Sequence, residues 1–506
     1  MNGAPRESGT TVSSVPLTFA PPPAQPLADV TSGLPVRELR GNGATAVSDV
    51  TFRSDEAAPG SLFFCVPGAR ADGHDFAADA ISRGAAALVV ERWLPVEVSQ
   101  VRVPVVRESM GPVSAAFFDH PARLLRIVGV TGTNGKTTVT YLLESILREA
   151  GLVSALIGTT GARIDGEPVP FARTTPEAPD LQRLLARMVA RGVGGVALEV
   201  SSHGLDQHRV DGTSFDVAVF TNLSQDHLDY HGTMQEYFAA KARLFTSGFA
   251  SRAAIGIDSS WGDRMVEACE IPATTFGRSR RADLRATSVA ASAAGVSFEV
   301  GGVHVASPLR GDFNASNCLA AFAAARALGI EPEAIVRGIA RVGNVSGRME
   351  RVDAGQPFLV LVDYAHTPEG LDRVLHAARS LGTGRVLVVF GCGGDRDRAK
   401  RFPMGRAATA GADHAVITSD NPRSEDPSAI IAEVERGARE GDGSYVVEPD
   451  RRTAIRMALG AAGPRDVVVI AGKGHETGQE FADGSVPFDD RVVAAQELRA
   501  LQGEAS

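Results

Sequence analysis

A glycine-rich segment that carries a lysine and two threonines is the first place in this chain where residue types and spacing could do chemistry. It reads GVTGTNGKTT over residues 129–138, between a short apolar strand and a predicted helix. Glycines let the backbone close around an anion, and a helix N-terminus adds positive potential. In a phosphate loop the lysine reaches the outer phosphates and the first threonine meets Mg²⁺. The segment predicts a nucleoside-triphosphate site, although the first glycine of the pattern stands one place early, at Gly129 instead of Val130.

Two more polar segments follow predicted strands in the same part of the chain. Glu199 ends an apolar strand in ALEVSSHGL, where it could hold Mg²⁺ or belong to a cluster that caps a helix. Asp226, His227, Asp229 and His231 lie within six residues, in TNLSQDHLDYHG. His and carboxylate together suggest a metal site, and the spacing of the two histidines would even suit zinc. A polar turn explains the same residues, so both interpretations stay open here.

Three polar loops near the C-terminus also come directly after apolar strands. The first, GCGGDRDRAKR over residues 391–401, does not fit the dinucleotide fingerprint, and its basic residues predict either an anion-binding loop or a solvated turn. The other two are TSDNPRSEDP over residues 418–427 and AGKGHE over residues 471–476. Ordinary turn chemistry would also favour their Asp, Asn, Pro and Gly.

Strand and helix patterns alternate around these loops, which predicts an α/β protein with mainly parallel sheets. A chain of 506 residues suggests about three domains. We expect a flexible tail over residues 1–30, a small α/β domain over 31–122, a central domain over 123–346 and a C-terminal domain over 347–506. Ligands gather beyond the carboxyl ends of strands in such sheets, and most of the unusual polar loops lie there.

Composition limits the classes of protein to consider. Charged residues make up 22%, hydrophobic residues 44%, and the net charge is −9. These values fit a soluble globular protein and argue against a general nucleic-acid or anionic-membrane surface. Four isolated cysteines indicate reduced thiols rather than disulfides or a zinc site. Because no 20-residue apolar span and no signal peptide are evident, we expect a cytoplasmic protein without membrane insertion.

Taken in order, the motifs of this chain resemble those of Mur ligases over residues 48–490, and they are most similar to members that add the third residue of the muramyl peptide. The segments are GVTGTNGKTT, EVSSHGLDQHRV, TNLSQDHLDYHG, AAKARLF, GDFNASN, SGRME, VDYAHTPEGL, GCGGDRDRAKR, DNPR and GKGHE. The resemblance implies a small N-terminal α/β domain, a central phosphate-loop ATPase domain and a Rossmann-like C-terminal domain. It also implies an ATP-dependent ligase that activates a carboxylate of UDP-N-acetylmuramoyl-L-alanyl-D-glutamate as an acyl phosphate, which an incoming amine then attacks. We expect a monomer.

For the nucleotide and its metal, the resemblance implies ATP as co-substrate and Mg²⁺ as cofactor. The implied nucleotide contacts are Gly132, Thr133, Asn134, Gly135, Lys136, Thr137, Thr138, Asn314, Asn317, Arg348, Asp363 and His366. The implied catalytic residues are Lys136, Glu199, His227 and Lys241. Thr137 and Glu199 are implied neighbours of one Mg²⁺ and His227 of a second. Lys241 is implied to be carried as N6-carboxylysine, a carbamate whose negative charge suits the second metal.

For the UDP-peptide, the implied contacts are Ser54, Thr174, Thr175, Ser201, Gln207 and Arg209. One departure stands in FRSDE, where Asp55 replaces the arginine that family members often carry after this serine. The implied contacts to the incoming amino acid are Arg396, Asp420, Asn421, Pro422, Arg423, Gly472 and Glu476.

The amino acid itself is either meso-2,6-diaminopimelate or L-lysine, which lacks the distal carboxylate. We expect meso-diaminopimelate, because the guanidinium of Arg423 matches a carboxylate and lysine would leave that guanidinium without its anion. The alternatives are an L-lysine-adding homologue, a folylpolyglutamate-synthase-like ligase and a nucleotide-gated binding protein without activity. Phosphate release that requires both the UDP-peptide and an amino acid separates a ligase from the last of these.

Overall fold

The structure is a computed structural model that describes residues 22–68, 71–169, 171 and 173–504. The chain forms two compact units. The first comprises Met1–Val106 and Ala116–Asp119, and the second comprises Arg107–Ala115 and His120–Ser506.

The first unit is built on a mixed sheet with the strand order β2-β7-β6-β5-β4. Strands β4 to β7 run parallel and β2 is antiparallel to β7. Buried apolar side chains of β5, β6 and α2 form its core. The elements are β1 (Gln25–Pro26), α1 (Leu27–Val30), β2 (Glu38–Arg40), β3 (Ala46–Val47), β4 (Asp49–Thr51), β5 (Ser61–Phe64), α2 (Ala77–Ser82), β6 (Ala87–Val90) and β7 (Ser99–Arg102), with 3₁₀ turns at Ser54–Glu56 and Gly73–Phe76. Helix α3 (Val106–Phe117) follows, and its residues Arg107–Ala115 belong to the second unit.

The predicted flexible tail over residues 1–30 is wrong for its last part. Strand β1 pairs with β3, and Leu27 and Val30 in α1 are buried. The Nε2 of Gln25 donates to the carbonyl of Phe117 at 2.7 Å. The proline-rich composition of this segment predicted disorder, but composition alone does not show that Leu27 and Val30 are buried. Residues 1–21 of the predicted tail lie outside the described residues.

The first part of the second unit contains a large, mainly parallel sheet with the order β11-β10-β9-β12-β8-β13-β14-β15-β16. Its strands are β8 (Arg126–Thr131), β9 (Ser154–Gly158), β10 (Gly161–Ile164), β11 (Glu167–Val169), β12 (Gly195–Glu199), β13 (Phe215–Phe220), β14 (Ala250–Gly256), β15 (Ala273–Gly277) and β16 (Leu284–Arg285). Its helices are α4 (Lys136–Glu149), α5 (Ala178–Ala190), α6 (Ser202–Asp206), α7 (Leu228–His231), α8 (Met234–Ala242), α9 (Ser260–Ala268), α10 (Phe313–Ala327) and α11 (Pro332–Arg341), with 3₁₀ turns at Pro121–Leu124 and Arg243–Phe245.

Both faces of this sheet are covered, as the near-continuous apolar strands predict. Helices α4, α10 and α11 pack on one face, and α5, α8 and α9 contribute to the core on the other. The alternation of strands and helices did not predict the antiparallel hairpin β10–β11, nor a separate antiparallel sheet of β17 (Thr287–Ser292), β18 (Gly295–Val300) and β19 (Val303–Ser307).

The last part of the second unit has a sheet with the order β20-β21-β25-β22-β23-β24, in which only the β20–β21 pair is antiparallel. Helices cover both of its faces, so the predicted Rossmann-like α/β class is confirmed. The elements are β20 (Glu350–Val352), β21 (Leu359–Asp363), α12 (Pro368–Leu381), β22 (Val386–Phe390), α13 (Arg401–Gly411), β23 (His414–Ile417), α14 (Pro427–Ala438), β24 (Ser444–Val447), α15 (Arg451–Ala461), β25 (Val467–Ala471), β26 (Gly478–Phe481), β27 (Gly484–Pro487) and α16 (Asp490–Glu504), with a 3₁₀ turn at Arg398–Lys400.

The separate sheets agree with a three-domain α/β protein, whereas the domain boundaries near residues 122 and 346 stay predictions. Within the described part of the chain, no helix combines the length and the apolar character needed to cross a membrane.

Candidate functional site

The glycine-rich loop joins β8, which lies between β12 and β13 in the sheet, to the first turn of α4. Gly132 and Gly135 have φ values of 146° and 88°, which residues other than glycine rarely adopt. A Cβ atom at Gly132 would clash with Thr221, and one at Gly135 would clash with Asn317. The loop therefore needs glycine at both positions, and the predicted strand, loop and helix are confirmed.

Two amines converge on one carbonyl oxygen of this loop. The Nζ atoms of Lys136 and Lys241 donate to the oxygen of Gly132, at 2.9 and 3.0 Å. Burial lowers the pKa of both lysines, and the charge of Lys136 lowers the pKa of Lys241 further. Lys241 is 1% exposed, and its Nζ lies 4.5 Å from the centre of the Tyr237 ring. The loop thus concentrates donors where an anion would bind.

Glu199 is fully buried at the carboxyl end of β12, beside the loop. Its two carboxylate oxygens accept from the backbone N–H and the hydroxyl of Thr159, at 3.0 and 2.9 Å. The helix cap that the sequence left as the alternative is made by Ser201, whose hydroxyl accepts from the N–H of Gly204. Capping therefore does not require Glu199, and its carboxylate faces the cavity described below.

The histidine-rich segment places Asp226 between two imidazoles. Nε2 of His227 and Nε2 of His366 lie 3.3 and 3.5 Å from the same carboxylate oxygen of Asp226. Burial acts to raise the pKa of Asp226, but the hydrogen bond from His366 brings it well below its usual range. Burial lowers the pKa of His227 to about 2, which keeps its ring neutral.

A zinc site at His227 and His231 is not supported. The Nε2 of His231 is hydrogen-bonded to the hydroxyl of Ser202 at 2.9 Å, and His227 starts the short helix α7 from a left-handed conformation with φ 55°. The described residues contain no group of three or more His, Cys, Asp or Glu side chains placed to hold a metal ion.

The last part of the chain reaches this site through Arg348 and the end of β21. Arg348 donates to the hydroxyl of Thr137 at 3.0 Å and stacks on the ring of Tyr364 at 4.5 Å. Asp363 accepts from the backbone N–H groups of Met349 and Ala365, at 2.7 and 2.8 Å. Burial raises the pKa of Asp363, and the charge of Arg348 opposes that shift.

One cavity of about 1020 Å³ brings most of the predicted nucleotide and UDP-peptide residues together. The predicted residues on its walls are Thr133, Asn134, Gly135, Lys136, Thr137, Thr138, Thr174, Thr175, Glu199, Ser201, Arg209, His227, Lys241, Asn317, Arg348, Asp363, His366 and Arg396. The predicted residues that do not line it are Gly132, Ser54, Gln207, Asn314, Asp420, Asn421, Pro422, Arg423, Gly472 and Glu476. Asn314 instead accepts from Asn317 at 2.7 Å and so supports it from behind.

The predicted UDP-peptide residues of the second unit form one network with Glu199. The hydroxyl of Thr175 donates to the backbone oxygen of Glu199 at 2.9 Å and lies 3.0 Å from the hydroxyl of Ser201. Arg209 donates to the backbone oxygen of Thr175 at 3.2 Å and to the side chain of Gln207 at 2.6 Å.

A buried carboxylate that the sequence interpretation missed supports this network. Glu177 is 5% exposed and pairs with Arg209 at 3.1 Å and with Arg173, which lines the cavity. Arg107 pairs with the same carboxylate at 3.1 Å, so three arginines surround Glu177 and leave net positive charge at this end of the cavity. The signal was available, because TTPE places this glutamate two residues after the predicted Thr175.

The predicted amino-acid residues cluster in a second place, where the loops after β23 and β25 meet. The side chain of Asn421 donates to Glu476 at 2.9 Å, and a Cβ atom at Gly472 would come within 2.6 Å of Asp420. Arg423 has φ 51° and donates to the backbone oxygen of Gly394 at 2.8 Å. The structure therefore brings DNPR and GKGHE together, although the two strands are not neighbours in the sheet.

The expectation that L-lysine would leave Arg423 without an anion is wrong. The Nε of this guanidinium donates to the carboxylate of Glu480 at 2.7 Å. Glu480 lies on β26, which docks beside the loop through a hydrogen bond from the N–H of Arg423. A distal carboxylate must therefore share or replace an existing partner.

Comparison with known proteins identifies the family. Residues 37–117 match the Mur ligase family catalytic domain, residues 130–325 the Mur ligase middle domain, and residues 347–474 the Mur ligase glutamate ligase domain. A protein of Geobacillus thermodenitrificans named UDP-N-acetylmuramoyl-L-alanyl-D-glutamate–2,6-diaminopimelate ligase is 46% identical over 474 residues, which cover 92% of this chain and 97% of that protein. The chain belongs to the Mur ligase family.

Solved structures agree with this Mur ligase assignment. A structure titled as a UDP-N-acetylmuramoyl-L-alanyl-D-glutamate–2,6-diaminopimelate ligase has a TM-score of 0.66 and 33% identity, covering 95% of this chain and 99% of that one. A folylpolyglutamate synthase of Mycobacterium tuberculosis has a TM-score of 0.60 and 20% identity, covering 78% of this chain and 94% of that one. The second likeness concerns the fold alone.

The first unit of this Mur ligase carries the departure at Asp55. Ser54 begins a 3₁₀ turn, and the side chain of Arg53 pairs with Asp55 at 2.7 Å and with Glu56 at 3.1 Å. An arginine is therefore present beside Ser54, but on its other side in the sequence and held by two carboxylates. The role of Ser54 stays a prediction.

Proposed function

We propose that this Mur ligase joins meso-2,6-diaminopimelate to UDP-N-acetylmuramoyl-L-alanyl-D-glutamate, with conversion of ATP to ADP and phosphate. Such a reaction is a step of peptidoglycan precursor synthesis and hence of cell-wall biogenesis. The observation that carries the proposal is that one cavity joins a phosphate loop to the Thr175–Glu199–Ser201 network. Relatives of that name match nearly the whole chain.

The proposed chemistry has two steps. A substrate carboxylate oxygen attacks the terminal phosphorus of ATP, the bond from that phosphorus to the leaving ADP oxygen breaks, and an acyl phosphate forms. The amine of the amino acid then attacks the acyl carbon, loses a proton and expels phosphate. Lys136 and Arg348 flank Thr137 at the loop, where cations stabilise charge on transferring phosphoryl oxygens.

The donors near the loop fit Mg²⁺ rather than a metal held by protein alone. Mg²⁺ is usually bound by one or two protein oxygens together with substrate phosphates and water. Thr137 and Glu199 would hold one such ion and His227 would lie near a second, and no larger protein cluster occurs among the described residues. Bound there, Mg²⁺ would neutralise phosphate charge during transfer.

We further propose that Lys241 carries a carbamate. Only a neutral amine attacks carbon dioxide: the nitrogen bonds to the carbon, a proton leaves and an anionic carbamate results. Burial lowers the pKa of Lys241 and the neighbouring Lys136 lowers it further, so the neutral amine is available below the pH that a free lysine requires. The carbamate would place a negative charge on the side chain of Lys241, which could then pair with the ammonium group of Lys136.

For the amino acid, the proposed contacts are the residues around Arg423 and Asn421. Nε of Arg423 donates to Glu480, and Nη1 donates to the backbone oxygen of Gly394. A distal carboxylate that binds Nε and Nη2 together would therefore displace Glu480. L-lysine has no carboxylate for this exchange. Discrimination therefore rests on the exchange of partners, not on an empty guanidinium.

The decisive experiment is a substrate panel measured by phosphate release with ATP and Mg²⁺. We expect release only when the UDP-dipeptide and meso-diaminopimelate are both present, and little with L-lysine. Equal turnover with L-lysine would identify an L-lysine-adding enzyme. Release with a folate substrate and glutamate would identify a folylpolyglutamate synthase, and amino-acid-independent release would contradict a ligase.

A further inference from the structure

Lys473 is a buried cation that the proposed chemistry does not use. It stands in GKGHE between Gly472 and Gly474, whose φ values are 114° and 54°. Both values lie in the left-handed region, which residues other than glycine rarely adopt. Lys473 is 0% exposed, whereas a lysine is almost never fully buried unless it is paired.

Its ammonium group joins two loops that follow separate strands. The Nζ of Lys473 donates to the side-chain oxygen of Asn421 at 2.8 Å and to Oε2 of Glu476 at 3.0 Å. The side-chain N–H₂ of Asn421 donates to the same Oε2 at 2.9 Å. The three side chains form a closed triangle of charge-assisted hydrogen bonds, which are stronger than neutral ones.

The triangle decides which atoms face outward. The amide oxygen of Asn421 accepts from Lys473 and also from the backbone N–H of Glu480 at 3.0 Å, so the amide cannot be flipped without losing both bonds. Oε2 of Glu476 is occupied by two donors, and the described hydrogen bonds of this carboxylate use no other oxygen. Oε1 of Glu476 is therefore the atom presented to a ligand.

The use of lysine in this chain sets position 473 apart. Of the 51 basic residues only four are lysine, namely Lys136, Lys241, Lys400 and Lys473. Lys241, Lys400 and Lys473 are at most 6% exposed, so the solvated faces carry arginine. In a chain that uses arginine for exposed charge, a buried lysine marks a place for a compact ammonium group whose donors can point at partners in different directions.

We propose that Lys473 is a positioning residue for amino-acid recognition: it holds Asn421 and Glu476 in the orientation that binds the incoming amino acid and balances the charge of Glu476. This inference rests on the proposed function. It predicts that loss of Lys473 weakens binding of the amino acid and leaves the nucleotide and UDP-peptide unaffected. Most residues assigned to those two ligands line the cavity, whereas Lys473, Asn421 and Glu476 do not.

The test is Lys473→Met, which keeps length and removes the charge. We expect its KM for the amino acid to rise roughly 10- to 100-fold, because losing hydrogen bonds to charged groups weakens binding by about that factor. KM for ATP and KM for the UDP-dipeptide should stay within about twofold of wild type. Lys473→Gln retains an N–H donor and should lose less. Arg385→Met is the control, because Arg385 pairs with Asp466 at the opposite end of the same sheet.

A double variant separates positioning from simple structural support. In the background of Glu476→Gln the carboxylate charge is gone, so adding Lys473→Met should raise KM by a smaller factor than it does in wild type. Equal factors in both backgrounds, or a folded Lys473→Met enzyme with a wild-type KM, would overturn the inference. So would equal losses for all three substrates.

The inference about Lys473 can still be tested if the Lys473→Met variant does not fold, or if the amino-acid substrate is not meso-diaminopimelate. If Lys473→Met melts well below wild type, Lys473→Gln decides with the same expected direction. The ratio of KM values is taken with whichever amino acid in the panel wild-type enzyme uses. Wild-type turnover therefore tests the proposed function, and the ratio tests Lys473.

Discussion

The phosphate loop and the DNPR–GKGHE loops handle positive charge in opposite ways. At the phosphate loop, Lys136 donates to the backbone oxygens of Gly132 and Thr133, and Arg348 donates to a hydroxyl. At the other site, Arg423 is paired with Glu480 and Lys473 with Glu476. The cations of the first region have no carboxylate paired with them and can bind an anionic ligand. The cations of the second region are already neutralised by carboxylates of the protein.

The difference has a physical consequence for binding. Cations that converge without carboxylate partners are held at a cost in desolvation, which a polyanion such as a triphosphate offsets on binding. A cation that is already paired with a carboxylate can bind a ligand only if the ligand replaces that carboxylate. The net affinity is therefore modest, and it depends on how well the charges of the ligand match those of the site. We therefore expect the nucleotide site to supply binding and the amino-acid site to supply selectivity.

The largest effect should come from Lys136→Ala at the phosphate loop. Loss of a cation at the transferring phosphoryl group should lower kcat on the order of 100- to 1000-fold. Binding of the UDP-dipeptide, measured by calorimetry, should stay close to wild type because its contacts are on other loops. Equal loss of catalysis and of UDP-dipeptide binding would remove the distinction between these ligands.

Lys241→Ala should have the next largest effect, a loss of roughly 10- to 100-fold, which is typical when a group that supports a metal site is removed. If the residue is a carbamate, short-chain carboxylic acids should restore part of the activity by occupying the vacated anionic position. Lys241→Arg cannot form the lysine carbamate and should not respond to bicarbonate. A Lys241→Ala enzyme with wild-type activity would contradict the role.

At the second site, Arg423→Ala should raise KM for meso-diaminopimelate by roughly tenfold, the cost of one charge-assisted contact, and leave KM for ATP unchanged. Initial rates with each substrate varied in turn measure both values. Arg439→Ala, which removes an exposed arginine paired with Glu435, is the matched control. A parallel rise in KM for ATP would mean that the two regions are not separate.

The smallest effect should come from Glu480→Gln. An exposed ion pair is worth about 0.2–1 kcal/mol, so removing the internal carboxylate should lower KM for meso-diaminopimelate by roughly 1.4- to fivefold. The same rate assay detects it. A higher KM instead would show that Glu480 aligns Arg423 and does not compete with the substrate.

Local motifs made the nucleotide side of this protein predictable. The residues of GVTGTNGKTT are consecutive, so strand, glycine loop and helix follow from spacing and from the conformations that glycine allows. Long apolar strands alternating with helices predicted parallel sheets for the same reason. The antiparallel sheet of β17, β18 and β19 was missed because its strands are short and β17 is largely exposed, which gives little periodic signal.

By itself the sequence determined the α/β class, the phosphate loop, the motif order of Mur ligases and the loops that carry polar residues, because each depends on neighbours in the chain. Only the tertiary structure decided how charges are paired across distant segments. Glu480 lies 57 residues from Arg423, and Lys241 lies 109 residues from Gly132. Such pairs depend on which strand ends share an edge of a sheet, and local residue patterns carry no record of that edge. The pairing decides which cations wait for a ligand and which already have a partner.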